Sequence, residues 1–365
     1  MRILMVAPEQ IPVPGGGSVE ICMLSIAKKL AKYHDVTIVS RQSGRLGRTS
    51  QIGKVKIVRV PSGSSARYIA SVLAYLKGKH FDLIQVDNRP YYMARIKSAF
   101  PRTPISLFLH SLTFVPRSGA VASQLGKANV IIANSGSLKS SLGRMFPKVK
   151  HKIRKVHLGV DVSRFHPASS KQKMRSKQKY HLNRSFTILF VGRVIPRKGV
   201  DVLIKATRKV SQHIPHTKLL IAGSGKAGYI RKLKNQARRL HVSAKFLGRI
   251  SHGNIHHVYR AADCFVCPSQ RHEAFGLVNV EAMASGLPAV ASNIGGIGEI
   301  IKNKKNGYLV RNYRSPSAFA KCIKKIARDR SLAKRLGQKG RKTVLRQFSW
   351  SNTASKLNTV YRSTV

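Results

Sequence analysis

The chain has 365 residues, 42% of them hydrophobic, and 68 Lys and Arg against 12 Asp and Glu, for a formal net charge of +56. That apolar content gives two globular domains a core each and excludes a wholly disordered chain, while no apolar stretch approaches the roughly 18 residues that cross a bilayer as a helix. The cysteines Cys22, Cys264, Cys267 and Cys322 form no disulfide-dense pattern, which excludes an extracellular disulfide scaffold.

Apolar runs alternate with amphipathic segments from the start. A strand spans Arg2 to Ala7, a helix runs near Val19 to Lys32, and a strand follows at Asp35 to Ser40, a β-α-β rhythm. The run Ile3 to Ala7 is too short for a signal peptide and meets Pro8 and Glu9 at once, so the expectation is a cytoplasmic protein, neither secreted nor integral to a membrane. Between that strand and helix, Gly15-Gly16-Gly17 either lets backbone amides approach an anion closely or makes a plain flexible turn. It is a poor dinucleotide fingerprint, because position 20 is Glu and the loop after Ala7 is long. Further strands are expected near Val55 to Val60, Phe81 to Val86, Ile105 to His110 and Val130 to Asn134, then a helix near Ser137 to Met145 that stops before Pro147. Asn88 and Arg89 follow one strand end, where they either contact a substrate or turn the loop ahead of Pro90, and His110 ends the next strand.

The basic stretch Ala168 to Arg184 interrupts the rhythm and reads as an inter-domain segment. A second set of strands is expected at Thr187 to Val191, Lys218 to Ala222, Lys245 to Leu247, Cys264 to Cys267 and Ala289 to Ser292, with helices between them. Helical patterns follow at Pro316 to Arg328 and Ser331 to Arg346. Two doubly wound α/β domains facing across a cleft account for this pattern economically. The expected division is 1–167, a basic linker at 168–184, a second domain at 185–348 and a last segment at 349–365.

Arg193 and Lys198 follow a strand at its carboxyl end, where open α/β sheets bind ligands, and two cations there suit a diphosphate. Gly223-Ser-Gly225-Lys226 fails as a P-loop, since it lacks the earlier glycine and continues into Ala227, and is read as a strand-to-helix turn lining a nucleotide base. Cys264 and Cys267 lie on opposite faces of a strand, so core packing explains them better than zinc or redox chemistry.

The acidic residues are the most informative. Only five are Glu, and three of those, Glu273, Glu281 and Glu299, lie between 273 and 299. Glu281 falls in a helix apolar on nearly every side, and a buried carboxylate costs several kcal/mol unless a basic group or ligand hydroxyls satisfy it. Glu273 precedes that helix, where the N–H groups around Phe275, Gly276 and Leu277 make an anion site. One carboxylate for hydroxyls and one helix end for phosphate describe a nucleotide-sugar pocket, against the plainer reading of a helix-start acid plus a structural ion pair. Glu299 either caps a helix or contacts the nucleotide.

The segment Pro268-Ser…Glu273-Ala-Phe-Gly-Leu…Glu281-Ala-Met-Ala-Ser-Gly-Leu-Pro resembles the hallmark of the GT-B glycosyltransferases of family 4. The resemblance continues through Gly192-Arg-Val-Ile-Pro-Arg-Lys-Gly199, Leu220-Ile-Ala-Gly-Ser-Gly225, Phe246-Leu-Gly248, Gly295-Gly296 and Gly159-Val-Asp161. It implies a retaining, metal-independent glycosyltransferase that moves a sugar from a UDP- or GDP-sugar to a hydroxyl acceptor such as a glycan, a lipid-linked glycan or a coat component. In that scheme Glu281 holds nucleotide ribose and Glu273 the donor sugar. Arg193, Lys198, Gly16, Gly17, Phe275, Gly276 and Leu277 serve the diphosphate, and Gly223 and Gly225 the base region. His110 hydrogen-bonds the sugar, and Asn88 and Arg89 become candidates for the acceptor. Arg197 stands where relatives often carry Glu. A last helix near Ser351 to Arg362 is expected to cross back to the first domain. No cofactor is implied, the nucleotide sugar being a substrate, and there is no Asp-x-Asp cluster for a divalent cation.

Pro8-Glu-Gln-Ile-Pro-Val-Pro-Gly-Gly with Asn88-Arg-Pro90 is most similar to spore-coat-associated glycosyltransferases of endospore-forming bacteria, although Glu273-Ala-Phe-Gly276 follows the general family. The charge implies attraction to polyanions: an anionic membrane face touched peripherally, a spore layer, or nucleic acid bound without specificity at low salt. A polyanion-binding protein is therefore the rival reading, without any nucleic-acid-binding signature to support it. Nucleotide-sugar epimerisation or hydrolysis on the same fold is a third, which strict acceptor dependence separates from transfer.

Overall fold

The computed structural model describes residues 1–12, 17–44 and 46–365. It divides into two compact units, Met1–Gly159 with Trp350–Val365, and Val160–Ser349. The first unit contains β1 (Arg2–Val6), α1 (Ser18–Leu30), β2 (Asp35–Arg41), β3 (Thr49–Ile52), β4 (Val55–Val60), α2 (Ser65–Leu76), β5 (Leu83–Asp87), α3 (Pro90–Ala99), β6 (Ile105–Leu109), α4 (Gly119–Gly126), β7 (Val130–Ala133), α5 (Gly136–Met145) and β8 (Ile153–Lys155). Its eight strands lie in the order β3-β4-β2-β1-β5-β6-β7-β8, and every pairing is parallel except β3 with β4. The inner strands β5, β6 and β7 are buried at every position, as expected for parallel strands covered by helices on both faces. The order reverses between β1 and β5, and a doubly wound sheet presents its ligand crevice at the carboxyl ends of such a pair.

The second unit contains α6 (Ser170–Lys179), β9 (Phe186–Val191), α7 (Val200–Ser211), β10 (Thr217–Ala222), α8 (Ala227–Arg239), β11 (Ala244–Gly248), α9 (Ile255–Arg260), β12 (Cys264–Cys267), α10 (Leu277–Ala284), β13 (Ala289–Ser292), α11 (Ile297–Ile300), β14 (Tyr308–Val310), α12 (Pro316–Arg328) and α13 (Arg330–Gln347). Its six strands are all parallel, ordered β11-β10-β9-β12-β13-β14, with the reversal between β9 and β12. Ile188, Leu219 and Val266 from the strands pack with Leu203 and Val210 of α7 and Phe319 and Ile323 of α12 in one core. Burying each such side chain contributes roughly 1.5–3 kcal/mol.

Residues 168–184, expected as a basic inter-domain segment, hold α6, which opens with a reciprocal cap between Ser169 and Gln172. The ammonium groups of Lys173 and Lys177 each lie 2.6 Å from a carboxylate oxygen of Asp263, so one acid gathers two of the cations that made this stretch look solvated. Cys264 and Cys267 are free and buried.

The last helix, α14 (Trp350–Arg362), belongs to the first unit and packs against α1. Trp350, Ala354, Leu357 and Tyr361 form its buried stripe, at the i, i+4, i+7, i+11 spacing of one helix face. Among the described residues no helix is long and apolar enough to cross a membrane.

Candidate active site

In the second unit the sequence-predicted residues gather on loops at the carboxyl ends of β9, β12 and β13. Lys198 ends a short helical turn, Pro196–Lys198, and its Nζ lies 2.5 Å from Oε2 of Glu273. The Ser269 hydroxyl donates to the same oxygen at 3.2 Å. Main chain fixes the loop beneath: the amide of Gly296 donates to the Glu273 carbonyl at 2.8 Å. Gly295, at φ +54°, approaches that carbonyl so closely that a Cβ would sit 2.0 Å from its oxygen. A similar approach explains Gly223, whose Cβ would meet the Gly192 carbonyl oxygen at 1.8 Å, and Gly225, whose Cβ would meet the Val194 carbonyl oxygen at 2.1 Å. These turns serve close packing of the β9 and β10 loops.

The expected partition of Lys198 to phosphate and Glu273 to sugar hydroxyls thus meets a side-chain pair in which each neutralises the other. The pair is largely shielded from water, so separating it without replacement partners is costly. Arg193 differs: it is exposed, and its guanidinium has no hydrogen-bonding partner among the described residues.

Helix α10 starts after Gly276, whose φ of +94° suits glycine. Phe275 anchors the turn by packing edge-on against Phe348 with centroids 5.9 Å apart. The amides of Gly276 and Leu277 find no acceptor among the described residues, and they lie at the positive end of the helix. One turn on, Glu281 is 5% exposed. The Tyr259 hydroxyl donates to its Oε2 at 2.8 Å, and Nε2 of His252 lies 3.5 Å from its Oε1. Complete burial raises the Tyr259 pKa well above the phenol range, so this group stays a donor. Tyr259 and His252 escaped sequence reasoning, because nothing in periodicity links α9 or the loop after β11 to a glutamate on α10.

In the first unit, His110, Asp87, Asn88 and Arg89 come together at the carboxyl ends of β5 and β6. His110 stacks on Phe108 with centroids 4.5 Å apart, and its Nε2 lies 3.0 Å from Oδ2 of the fully buried Asp87. Asn88 takes the left-handed conformation at φ +59°, and its Oδ1 accepts the His110 amide at 3.2 Å. Arg89 lies over the Phe114 ring at 3.5 Å and reaches Glu9 at 3.7 Å. Gly17 precedes α1, whereas Gly15 and Gly16 lie outside the described residues. Glu20, noted in the sequence only as a departure from a glycine motif, is buried in the first turn of α1. Burial first, then the nearby Glu9 and Asp87 carboxylates, raise its pKa. Among the described residues no three His, Cys, Asp or Glu side chains converge as a metal cluster.

Residues 172–343 match the family model described as "Glycosyl transferases group 1", and residues 15–164 match "Glycosyltransferase Family 4". The "Putative glycosyltransferase YtcC" of Bacillus subtilis (strain 168) is 30% identical over 378 residues, covering 100% of this chain and 92% of that protein. The chain belongs to the family 4 glycosyltransferases. A second relative of this glycosyltransferase in the same organism, "Spore coat protein SA", is 29% identical over 379 residues and 99% of each chain. Among solved structures, sucrose-phosphate synthase from Thermosynechococcus elongatus superposes with a TM-score of 0.84 at 22% identity, covering 99% of this chain and 98% of that one. Anabaena Alr3699/HepE in complex with UDP-glucose gives 0.80 at 21% identity over all of both chains. These likenesses show the GT-B fold. In this glycosyltransferase the signature carboxylates therefore occupy distinct surroundings, Glu273 in an ion pair on a loop and Glu281 in a hydrogen-bonded pocket on a helix.

Proposed function

We propose that this glycosyltransferase moves a glycosyl group from a nucleotide-diphosphate sugar to a hydroxyl acceptor, with retention of anomeric configuration. The observation that carries the reading is the Lys198–Glu273 pair beside the amides of Gly276 and Leu277, which find no acceptor among the described residues, with Glu281 one helical turn away. A diphosphate placed on those amides competes with Glu273 for Lys198. Once Lys198 turns to the phosphate, the Glu273 carboxylate is released to accept hydrogen bonds from donor-sugar hydroxyls. Donor binding thus separates an ion pair while supplying each half with a new partner, which limits the cost of breaking it. As the glycosidic bond breaks, charge grows on the leaving diphosphate, where Lys198, Arg193 and the helix amides stabilise it in the role a metal ion takes elsewhere. Glu281 accepts from ribose hydroxyls, its second oxygen being held by Tyr259. Gly223 and Gly225 belong to the base region. By family resemblance, Gly16 and Gly17 serve the diphosphate, His110 the sugar, and Asn88 and Arg89 the acceptor.

A uridine donor is supported by the likeness to HepE, whose structures hold UDP and UDP-glucose. A cell-surface or spore-coat glycoconjugate as product is supported by the relative named spore coat protein SA. The test is thermal shift at moderate salt with UDP, GDP, ADP, TDP and short single-stranded DNA on wild type and Glu281→Ala, followed by turnover of Lys198→Ala. We expect stabilisation by one diphosphate, its loss in Glu281→Ala, and a kcat about 100-fold lower in Lys198→Ala. Equal stabilisation by every polyanion in both proteins, with turnover undiminished in Lys198→Ala, would overturn the reading.

A further inference from the structure

The polar core of the first unit holds a hydrogen-bonded series that runs from the C-terminal helix to His110. Tyr361 ends the buried stripe of α14, and its hydroxyl donates to Oε1 of Gln85 on β5. Gln85 and Asp87 are two apart on one strand and so share a face. Nε2 of Gln85 donates to Oδ1 of Asp87 at 2.5 Å, and Oδ2 of Asp87 lies 3.0 Å from Nε2 of His110. Tyr361, Gln85 and Asp87 are fully buried, and His110 is 9% exposed.

The chemistry of each group fixes the direction of every bond. Burial holds the Tyr361 pKa well above the phenol range, so its hydroxyl keeps its proton. Because that hydroxyl donates to the Gln85 carbonyl oxygen, the Gln85 amide nitrogen faces Asp87. A carboxylate only accepts, so Asp87 takes one hydrogen from Gln85 and the other from the imidazole. Nε2 of His110 therefore carries the proton, and in the neutral ring Nδ1 carries the lone pair. Nδ1 makes no hydrogen bond with any described residue. The ring itself cannot turn freely, being stacked on Phe108 with an interplanar angle of 19°.

We infer that Tyr361 and Gln85 are positioning residues which act through Asp87 to hold His110 as its Nε2–H tautomer, so that Nδ1 accepts a hydrogen bond from a ligand hydroxyl. That the hydroxyl belongs to the donor sugar rests on the function proposed above; the tautomer does not. The C-terminal helix contributes to the site by setting the proton position on a histidine 251 residues earlier, at 110 against 361.

Ring 15N NMR of the full-length protein, at a pH where the imidazole is neutral, with His110 assigned by its loss in His110→Gln, tests this. Wild type is expected to show Nε2–H. Asp87→Asn preserves shape and still accepts from Gln85, but it turns a donor toward the ring and so is expected to give Nδ1–H. Its kcat should fall by about 10-fold or more with donor KM changed by less than about threefold. Tyr361→Phe keeps the ring in the core and covers the case in which Asp87→Asn does not fold. It should broaden the His110 Nε2–H resonance and lower kcat by about threefold or more. Nδ1–H in the wild type, or a His110 signal unchanged in both variants, overturns the inference. Tautomer changes as expected with unchanged turnover would retain the positioning series and reject the donor-sugar role for His110.

Discussion

Glu281 shows how much a single burial argument delivers. Placing a carboxylate on an apolar helix demanded a partner, and the Tyr259 hydroxyl supplies one at 2.8 Å. The identity of that partner depended on a contact across the fold and could not be inferred from the helix alone. His256, on α9 beside this pocket, carries a pH consequence. Its ring is partly buried and lies 4.0 Å from that of His257. Burial, aided by His257, Arg260 and Arg164, pulls its pKa from the ordinary 6.5 down to about 4. Between those values the unfolded chain binds the proton more readily than the folded one. Stability is therefore full above about pH 6.5 and declines as pH falls toward about 4. Replacing the ring in His256→Gln removes this linkage, so urea midpoints of the variant should depend less on pH across that window than those of wild type. An identical slope in both proteins would show that His256 is not the group responsible.

At the scale of elements, tight loops position the site side chains more than the helices do. The loop carrying Glu273 is held from below by Gly295 and Gly296, and Gly295→Ala would drive a Cβ to 2.0 Å from the Glu273 carbonyl oxygen. We expect that variant to lose about 1–3 kcal/mol of stability and, by shifting Glu273 from Lys198, to lose donor turnover as well. Gly228→Ala on α8, where nothing lies within 4 Å of the new methyl, should be neutral or slightly stabilising. Differential scanning calorimetry and turnover on the two variants check both, and equal melting of Gly295→Ala and wild type would contradict the packing account. Helix α6 makes the complementary point, because its sequence is almost entirely polar and the pairing of Lys173 and Lys177 with Asp263, with Lys177 also donating to the Ser185 carbonyl, ties it to the second unit. Strand β3 was equally invisible to periodicity, being a short, polar and mostly exposed edge strand.

For the molecule as a whole, the net charge of +56 acts over a longer range than any one contact. Non-specific association with single-stranded DNA should be measurable at low salt and weaken linearly in log affinity against log salt, as counterion release requires. Fluorescence anisotropy should find that titration unchanged in Glu281→Ala, whereas nucleoside diphosphate binding is lost in the same variant. Loss of both together would mean that the two ligands share one site. Much of this protein was determined by its sequence alone. The alternating apolar runs specified two α/β sheets that are parallel apart from the edge strand β3, because strands buried on both faces must be continuously hydrophobic. The spacing of Glu273 and Glu281 around a glycine-started helix marked the site, because so few acids in so basic a chain are informative. Tertiary structure alone decided who partners whom: Lys198 with Glu273, Tyr259 with Glu281, and Tyr361 through Gln85 and Asp87 with His110. Local sequence sets backbone and amphipathic face, whereas the partner of a buried polar group comes from whichever distant element folding brings within hydrogen-bond reach.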